Sequence, residues 1–429
     1  MDEMVYWIWL SLCCTPDTAT FPKLLSHFDG AKAVYDADDK EISRAIGYNS
    51  SDRAALLDKS TERAEKIYAF CKRHNVGLLA YPSEAYPNAL REIPTPPVLL
   101  YYRGVLPDFN RELFVAAVGT RSLSSYGRKS AFSISHDLAS AGAIVVSGMA
   151  TGIDGVALAG ALSAGGRTVA VIGSGIDVCY PAQHQRLARE IVKGGCVLTE
   201  FAPGTKPERY NFPKRNRIIS GLSAATLVFE GRERSGALIT ARCAKAQGRA
   251  VYAFPGNVGA PQSELSNLLI KDGARLFTCA DDIVRDFTDT YPGVLNPFSL
   301  STERTVDMMA TLTELSVVCL CPDDPVLRRP PVKRGEKKQE EPTEAPVHRA
   351  PAVSEPPTAE QTTVAEPPVG FDAEALKLYK RIPFTGDISI ESLVEEGETV
   401  REVMRRLLKL EMGRFVVMLP GDRVARKTK

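Results

Sequence analysis

The chain lacks an excess of either charge. It has 53 Lys and Arg against 52 Asp and Glu, a formal net charge of +1. No global field therefore draws it to a polyanion, and any anion site must be local. It also lacks a cysteine framework. Its nine cysteines are scattered singly apart from Cys13-Cys14 and Cys319-Leu-Cys321, with no C-x-x-C pair, which argues against zinc and against a disulfide scaffold. No apolar run approaches the roughly 20 residues needed to cross a membrane. The first ten residues are partly apolar but carry Asp2 and Glu3 and no basic start, so they read as a core helix rather than a signal peptide. No Walker lysine is present. Gly173-Ser-Gly-Ile-Asp-Val178 has valine where a dinucleotide fingerprint needs its third glycine, so a nucleotide cofactor is disfavoured. The five histidines stand singly, and neither His136 nor His184 has a nucleophile pattern beside it. Together these absences predict a soluble, cytoplasmic protein with no metal, no cofactor and no membrane partner.

With 429 residues the chain can hold two or three domains. Residues 1–75 carry apolar positions at helical spacing, as in Phe21-Pro-Lys-Leu-Leu-Ser-His-Phe28, and predict a helical domain. Residues 76–110 read as a connector with two short strands. Across 111–290, near-continuous apolar runs alternate with helical stretches, the pattern of a parallel sheet covered on both faces. Ligands of such sheets bind beyond the strand carboxyl ends. A helical extension follows over 291–320. Residues 321–370 shift to Pro, Glu, Lys, Ala and Thr and predict a disordered linker, its basic piece Arg328 to Lys338 being a solvated run. Residues 371–429 predict three helices and a hairpin, a winged-helix pattern. There Thr399 caps the third helix, and Arg401, Arg405, Arg406 and Lys409 lie along it.

Several strand ends offer phosphate chemistry. Arg121 follows an apolar strand and Gly119, and leads into Ser122, Ser124, Ser125 and Tyr126. Hydroxyls and amides there could hold a phosphate while the guanidinium forks onto it, although a solvated arginine in a polar turn is an equal alternative. Ser147-Gly148 and Thr151-Gly-Ile-Asp154 precede a helix whose free amides favour an anion, with Asp154 the natural cap. Lys214, Arg215 and Arg217 form a basic row with no carboxylate of its own. One of the three could instead pair with Glu200 or Glu230 at neighbouring strand ends. Ser235-Gly236 open another helix after a strand.

These segments, in this order, resemble the DprA/Smf family of bacterial DNA-processing proteins. The resemblance rests on Val118-Gly-Thr-Arg-Ser-Leu-Ser-Ser-Tyr-Gly127, Ser147-Gly-Met-Ala-Thr-Gly-Ile-Asp154, Gly173-Ser-Gly-Ile-Asp177 with Tyr180-Pro181, Phe212-Pro-Lys-Arg-Asn-Arg-Ile-Ile-Ser-Gly-Leu222, Ser235-Gly-Ala-Leu-Ile-Thr-Ala241 and Phe254-Pro-Gly256. It implies an extended Rossmann-like core without a nucleotide cofactor, an N-terminal SAM-like or degenerate helix-hairpin-helix domain and a C-terminal winged helix. It further implies a homodimer that binds single-stranded DNA, protects it and hands it to RecA in natural transformation, with no enzymatic activity. The implied DNA pocket is Arg121 with Lys214, Arg215 and Arg217, completed by Gly119, Ser122, Ser147, Gly148, Ser235 and Gly236. The chain departs from the family pattern at Leu158, where histidine is usual, at His184, where asparagine is common, and around Thr15 to Thr20, where the hairpin glycines are missing. Two rival readings carry different signatures. A nucleotide-cleaving enzyme of related fold would need a Pro-Gly-Gly-x-Gly-Thr run, absent from Arg234-Ser-Gly-Ala-Leu-Ile-Thr240. A winged-helix regulator would prefer one duplex sequence.

Overall fold

The computed structural model describes residues 2–296 and 306–318, then 377–379, 381–382, 387–394, 398, 400–412, 415–419 and 423–426. The linker expected over 321–370 lies outside the described residues, as do Thr399 and the side chains of Arg401 and Lys409. The chain divides into two compact units, Met1–Arg334 and Gly335–Lys429.

The first unit opens with six helices: α1 Glu3–Cys13, α2 Thr20–Leu25, α3 Gly30–Asp36, α4 Asp39–Ile46, α5 Arg53–Leu57 and α6 Glu62–Arg73. The Asp2 carboxylate caps α1 by accepting the Met4 amide at 3.1 Å. A reciprocal capping box of Asp38 and Glu41 starts α4. Trp7, Ile8 and Leu10 of α1 are buried and pack with Leu24, Ile42 and Leu56. Each such side chain contributes about 1.5–3 kcal/mol by leaving water.

Nine strands follow: β1 Gly77–Ala80, β2 Leu99–Gly104, β3 Phe114–Val118, β4 Ile144–Ser147, β5 Thr168–Val171, β6 Cys196–Thr199, β7 Ala225–Val228, β8 Ala250–Ala253 and β9 Arg275–Leu276. They form one sheet in the order β1-β2-β6-β5-β4-β3-β7-β8-β9. From β6 to β9 every pairing is parallel, as the near-continuous apolar runs predict. The two strands expected between residues 76 and 102 join this sheet through β2, which pairs antiparallel with β6. Helices interleave with the strands: α7 Asn88–Arg91, α8 Ser125–Ser140, α9 Ile153–Ser163, α10 Gln185–Gly194, α11 Asn211–Leu222, α12 Gly236–Ala246, α13 Glu264–Lys271, α14 Asp281–Phe287 and α15 Met308–Glu314.

Alternation along β3 sends side chains to two cores. Val115 and Ala117 enter the core shared with α8, α9 and the N-terminal helices. Phe114, Ala116 and Val118 enter the core beneath α11 and α12. The chain order turns back at β3, whose neighbours are β4 and β7. The carboxyl ends of β3 and β7 therefore flank a topological switch point, where a crevice opens.

The second unit contains β10 Asp387–Ser389, α16 Val400–Met412, β11 Val416–Leu419 and β12 Arg423–Arg426. Its strands pair antiparallel in the order β10-β12-β11. Val403, Leu407 and Leu410 bury one stripe of α16 against Ile390, Val416 and Val424.

Candidate nucleic-acid interface

A cleft of about 840 Å³ lies at the switch point. It is lined by Val118 to Arg121 after β3, by Ala150 and Asp154 at the start of α9, and by Tyr180. Arg209, Phe212, Arg215 and Asn216 close one side, and Ser235 to Ala237 of α12 the other. A slightly larger groove, about 920 Å³, runs along α12 and β9 past Arg242, Lys245 and Arg275. It lies away from the turn after β3, so the cleft at the switch point holds the chemistry read from the sequence.

Within the cleft, the exposed Arg121 places its guanidinium carbon 5.5 Å from the centre of the Phe212 ring. Tyr180 stands on the same ring at 5.6 Å, tilted by 45°. Lys214 lies outside the cleft lining and holds its ammonium 5.9 Å from the exposed Tyr210 ring. Cations over aromatic faces are attracted by the ring quadrupole and leave both groups available to a ligand.

Arg215 sits beneath this surface, 4 % exposed. It donates to the Gly148 carbonyl at 2.8 Å, to the Val171 carbonyl and to Asn216 Oδ1 at 3.2 Å. Burial, with Arg121 nearby, pushes its pKa down to about 10, so it stays charged at neutral pH. Asp154 and Arg215 both crowd the Cα of Gly148. A Cβ at Gly148 would come within 2.5 Å of both Asp154 Oδ2 and Arg215 Nη2. Burial pushes the Asp154 carboxyl up, while Arg215 and the amides of Ala150 and Gly148 hold it down. Asp154 thus binds the loop before α9 instead of capping that helix, whose cap residue is Gly152. Gly152 has φ +85°, and a Cβ there would overlap the Thr120 carbonyl and stand 2.6 Å from Arg121 Cα. Only glycine lets the turn after β3 rest on the start of α9.

Gly119, Arg121, Arg215, Ser235 and Gly236 of the expected pocket come together in the cleft. Others turn away from it. Ser147 is fully buried and donates to the Ala117 carbonyl at 2.6 Å, a partner supplied by the pairing of β3 with β4. The Gly148 amide faces Asp154, which occupies the place expected for an anion. The Ser122 amide is taken by Thr120 Oγ1 at 3.2 Å. Arg217 is buried and paired with Glu200, the first of the two partners the sequence offered. Phe212 and Tyr180 were missed as site residues. Their signal was present, since Phe212 opens the basic row and Tyr180 follows a strand end. Among the described residues no group of three or more His, Cys, Asp or Glu could hold a metal ion. No helix among them is long and apolar enough to cross a membrane.

The family model for DNA recombination-mediator protein A matches residues 77–288, from β1 through α14. The DNA processing protein DprA of Bacillus subtilis is 34% identical over 250 residues, 57% of this chain and 84% of that relative. Protein Smf of Escherichia coli is 41% identical over 249 residues, 58% of this chain and 66% of its own length. The crystal structure of DprA from Streptococcus pneumoniae superposes with a TM-score of 0.58 at 31% identity, covering 67% of this chain and 98% of that one. With the strand-end motifs assembled around one cleft and relatives matched over most of their length, the chain belongs to the DprA/Smf family of DNA recombination-mediator proteins.

Proposed function

We propose that the protein binds single-stranded DNA across the strand carboxyl ends, protects the incoming strand and loads RecA onto it in natural transformation. The observation that carries this reading is Arg121 held over Phe212, with Tyr180 against the same ring. Alternating cations and aromatic faces suit a strand whose phosphates and unstacked bases alternate. Three arginines line the cleft, Arg121, Arg209 and Arg215, against Asp154 and Glu208. The local balance is therefore positive in a chain that is nearly neutral as a whole. Arg121 and Lys214 meet phosphates, while Arg215, buried under the cleft, supports the floor. Gly119, Ser235 and Gly236 let the backbone approach the strand. Arg217 belongs to the scaffold that holds α11.

The protein acts in this reading by binding, as a cytoplasmic partner of DNA without a cofactor. Its sheet unit is an extended Rossmann-like core, the six N-terminal helices are a SAM-like region, and the second unit is a winged helix. A second copy of the chain covers β9. That strand ends the sheet and leaves Leu276 52 % exposed, an edge that invites pairing.

Fluorescence anisotropy with labelled oligo-dT and a matched duplex across a salt series tests the reading. Single strand should bind more tightly than duplex, and affinity should fall steeply with salt. Arg121→Ala with Lys214→Ala should weaken single-strand binding for every sequence and flatten the salt dependence. Unchanged affinity of that double variant at moderate salt would remove the assignment.

A further inference from the structure

Tyr210 holds the N-cap position of α11, and its side chain makes no capping bond there. Serine, threonine, aspartate or asparagine would supply one. Nor is the ring needed for packing, since Tyr210 is 64 % exposed and belongs to neither core of the sheet unit. Local structure therefore gives no reason for a large aromatic at this point. Its position gives one. Pro207, Glu208 and Arg209 line the cleft just before it and Phe212 and Pro213 just after it, while Tyr210 lies outside the lining, at the lip.

One helical turn further on, Lys214 holds its ammonium 5.9 Å from the centre of the Tyr210 ring. The backbone at this helix start has little to offer a phosphate. Pro213 has no amide hydrogen, and the Asn211 amide donates to the Glu208 carbonyl at 3.0 Å. A side-chain cation must therefore meet the charge. Residues 206–214 carry three, Lys206, Arg209 and Lys214, against one carboxylate, Glu208. A strand leaving the cleft has a second way out, because the groove along α12 shares Ser235, Gly236 and Ile239 with the cleft. Among the described residues no aromatic ring lines that groove, and it runs to β9, the edge assigned above to a second copy. The start of α11 instead offers a ring and a cation side by side, which suits a base and its neighbouring phosphate.

We propose that the strand leaves the cleft over the start of α11, with one unpaired base stacked on Tyr210 and the adjoining phosphate on Lys214. The proposal rests on the single-strand reading of the cleft and gives the DNA path its direction beyond Arg121. Stacking is tolerant of sequence because every base has a π face.

Anisotropy titrations of the full-length protein with labelled oligo-dT across a salt series test it. Tyr210→Ala should bind about 5- to 150-fold more weakly, the range for one stacked base, with its salt slope unchanged. Tyr210→Phe keeps the ring and should keep wild-type affinity. Lys214→Ala should lower the slope by about 0.7, the value for one phosphate contact. A lowered slope in Tyr210→Ala would mean that the ring only positions Lys214, and would overturn the stacking. Wild-type affinity of Tyr210→Ala, in a protein that prefers single strand and is weakened by Arg121→Ala, would overturn the exit over α11 and leave the cleft standing. A loss in Arg242→Ala with Lys245→Ala, beside an unchanged Tyr210→Ala, would put the strand along α12 instead. No preference for single strand in the wild type would overturn both cleft and exit.

Discussion

Arg217 lies face to face with Glu200, donating from Nη1 and Nη2 to the two carboxylate oxygens at 3.0 and 2.7 Å. Only 5 % and 6 % of the two side chains are exposed. Asp17, from the loop after α1, stands 3.6 Å from Arg217 Nε. The pair ties α11 to the end of β6 and to the N-terminal helices. Arg217→Ala leaves a buried carboxylate without its partner and should cost about 3–5 kcal/mol in urea unfolding. A midpoint equal to wild type would show that the pair contributes nothing to the fold.

Gly152→Ala adds one methyl group and removes no charge. It forces a residue with a side chain into the left-handed region and against the Thr120–Arg121 turn. The strain should cost about 1–3 kcal/mol. Because the displaced turn carries Arg121, single-strand affinity should fall with stability. Thermal melting and anisotropy on the same sample check both. A variant that melts lower yet binds DNA as tightly as wild type would separate the turn from the site.

Phe212 and Arg121 touch, but they should fail differently. Phe212→Ala should cost about 1–3 kcal/mol of binding through lost stacking and leave the salt slope alone. Arg121→Ala should lower the slope of log K against log[salt] by about 0.7, the single-strand value for one phosphate contact. Parallel salt titrations distinguish them. Equal slope changes for both variants would mean that Phe212 acts only by positioning Arg121.

His184 is fully buried between two backbone partners. Its Nδ1 bonds the Met149 carbonyl at 2.9 Å, and its Nε2 accepts the Val318 amide at 2.9 Å. Both bonds require the neutral ring protonated on Nδ1. Burial holds its pKa below the ordinary 6.5, with the Met149 carbonyl opposing the shift. The unfolded chain therefore takes up the proton first as pH falls. The stability that His184 contributes is complete above 6.5 and is lost as pH drops from there through the folded value. Urea unfolding at pH 7.5 and pH 5.5 should show a smaller acid loss in His184→Gln than in wild type.

The strands were legible wherever both faces are buried, because an uninterrupted apolar run has one reading. Cys196–Thr199 and Ala250–Ala253 fall where those runs lie. β9 was not legible, since its two residues are exposed and make no run. In the cleft, the basic and small residues could be read, but not which of them face inward. That depends on the pairing of strands. Ser147 finds the Ala117 carbonyl because β4 lies beside β3, and Arg217 finds Glu200 because α11 crosses the end of β6. Asp154 was read as a helix cap because its position suits one. Arg215 was read as a site cation, but not its burial beside Asp154, whose carboxylate instead bonds the Ala150 and Gly148 amides of the loop.

The stretch that follows α15 has a mechanical consequence. Val318, four residues beyond that helix, accepts the Gly152 amide at 2.9 Å and donates its own amide to His184. Gly152 in turn supports the turn that carries Arg121. A displacement of Val318 would therefore be felt at the turn that carries Arg121, the residue we propose to meet a phosphate.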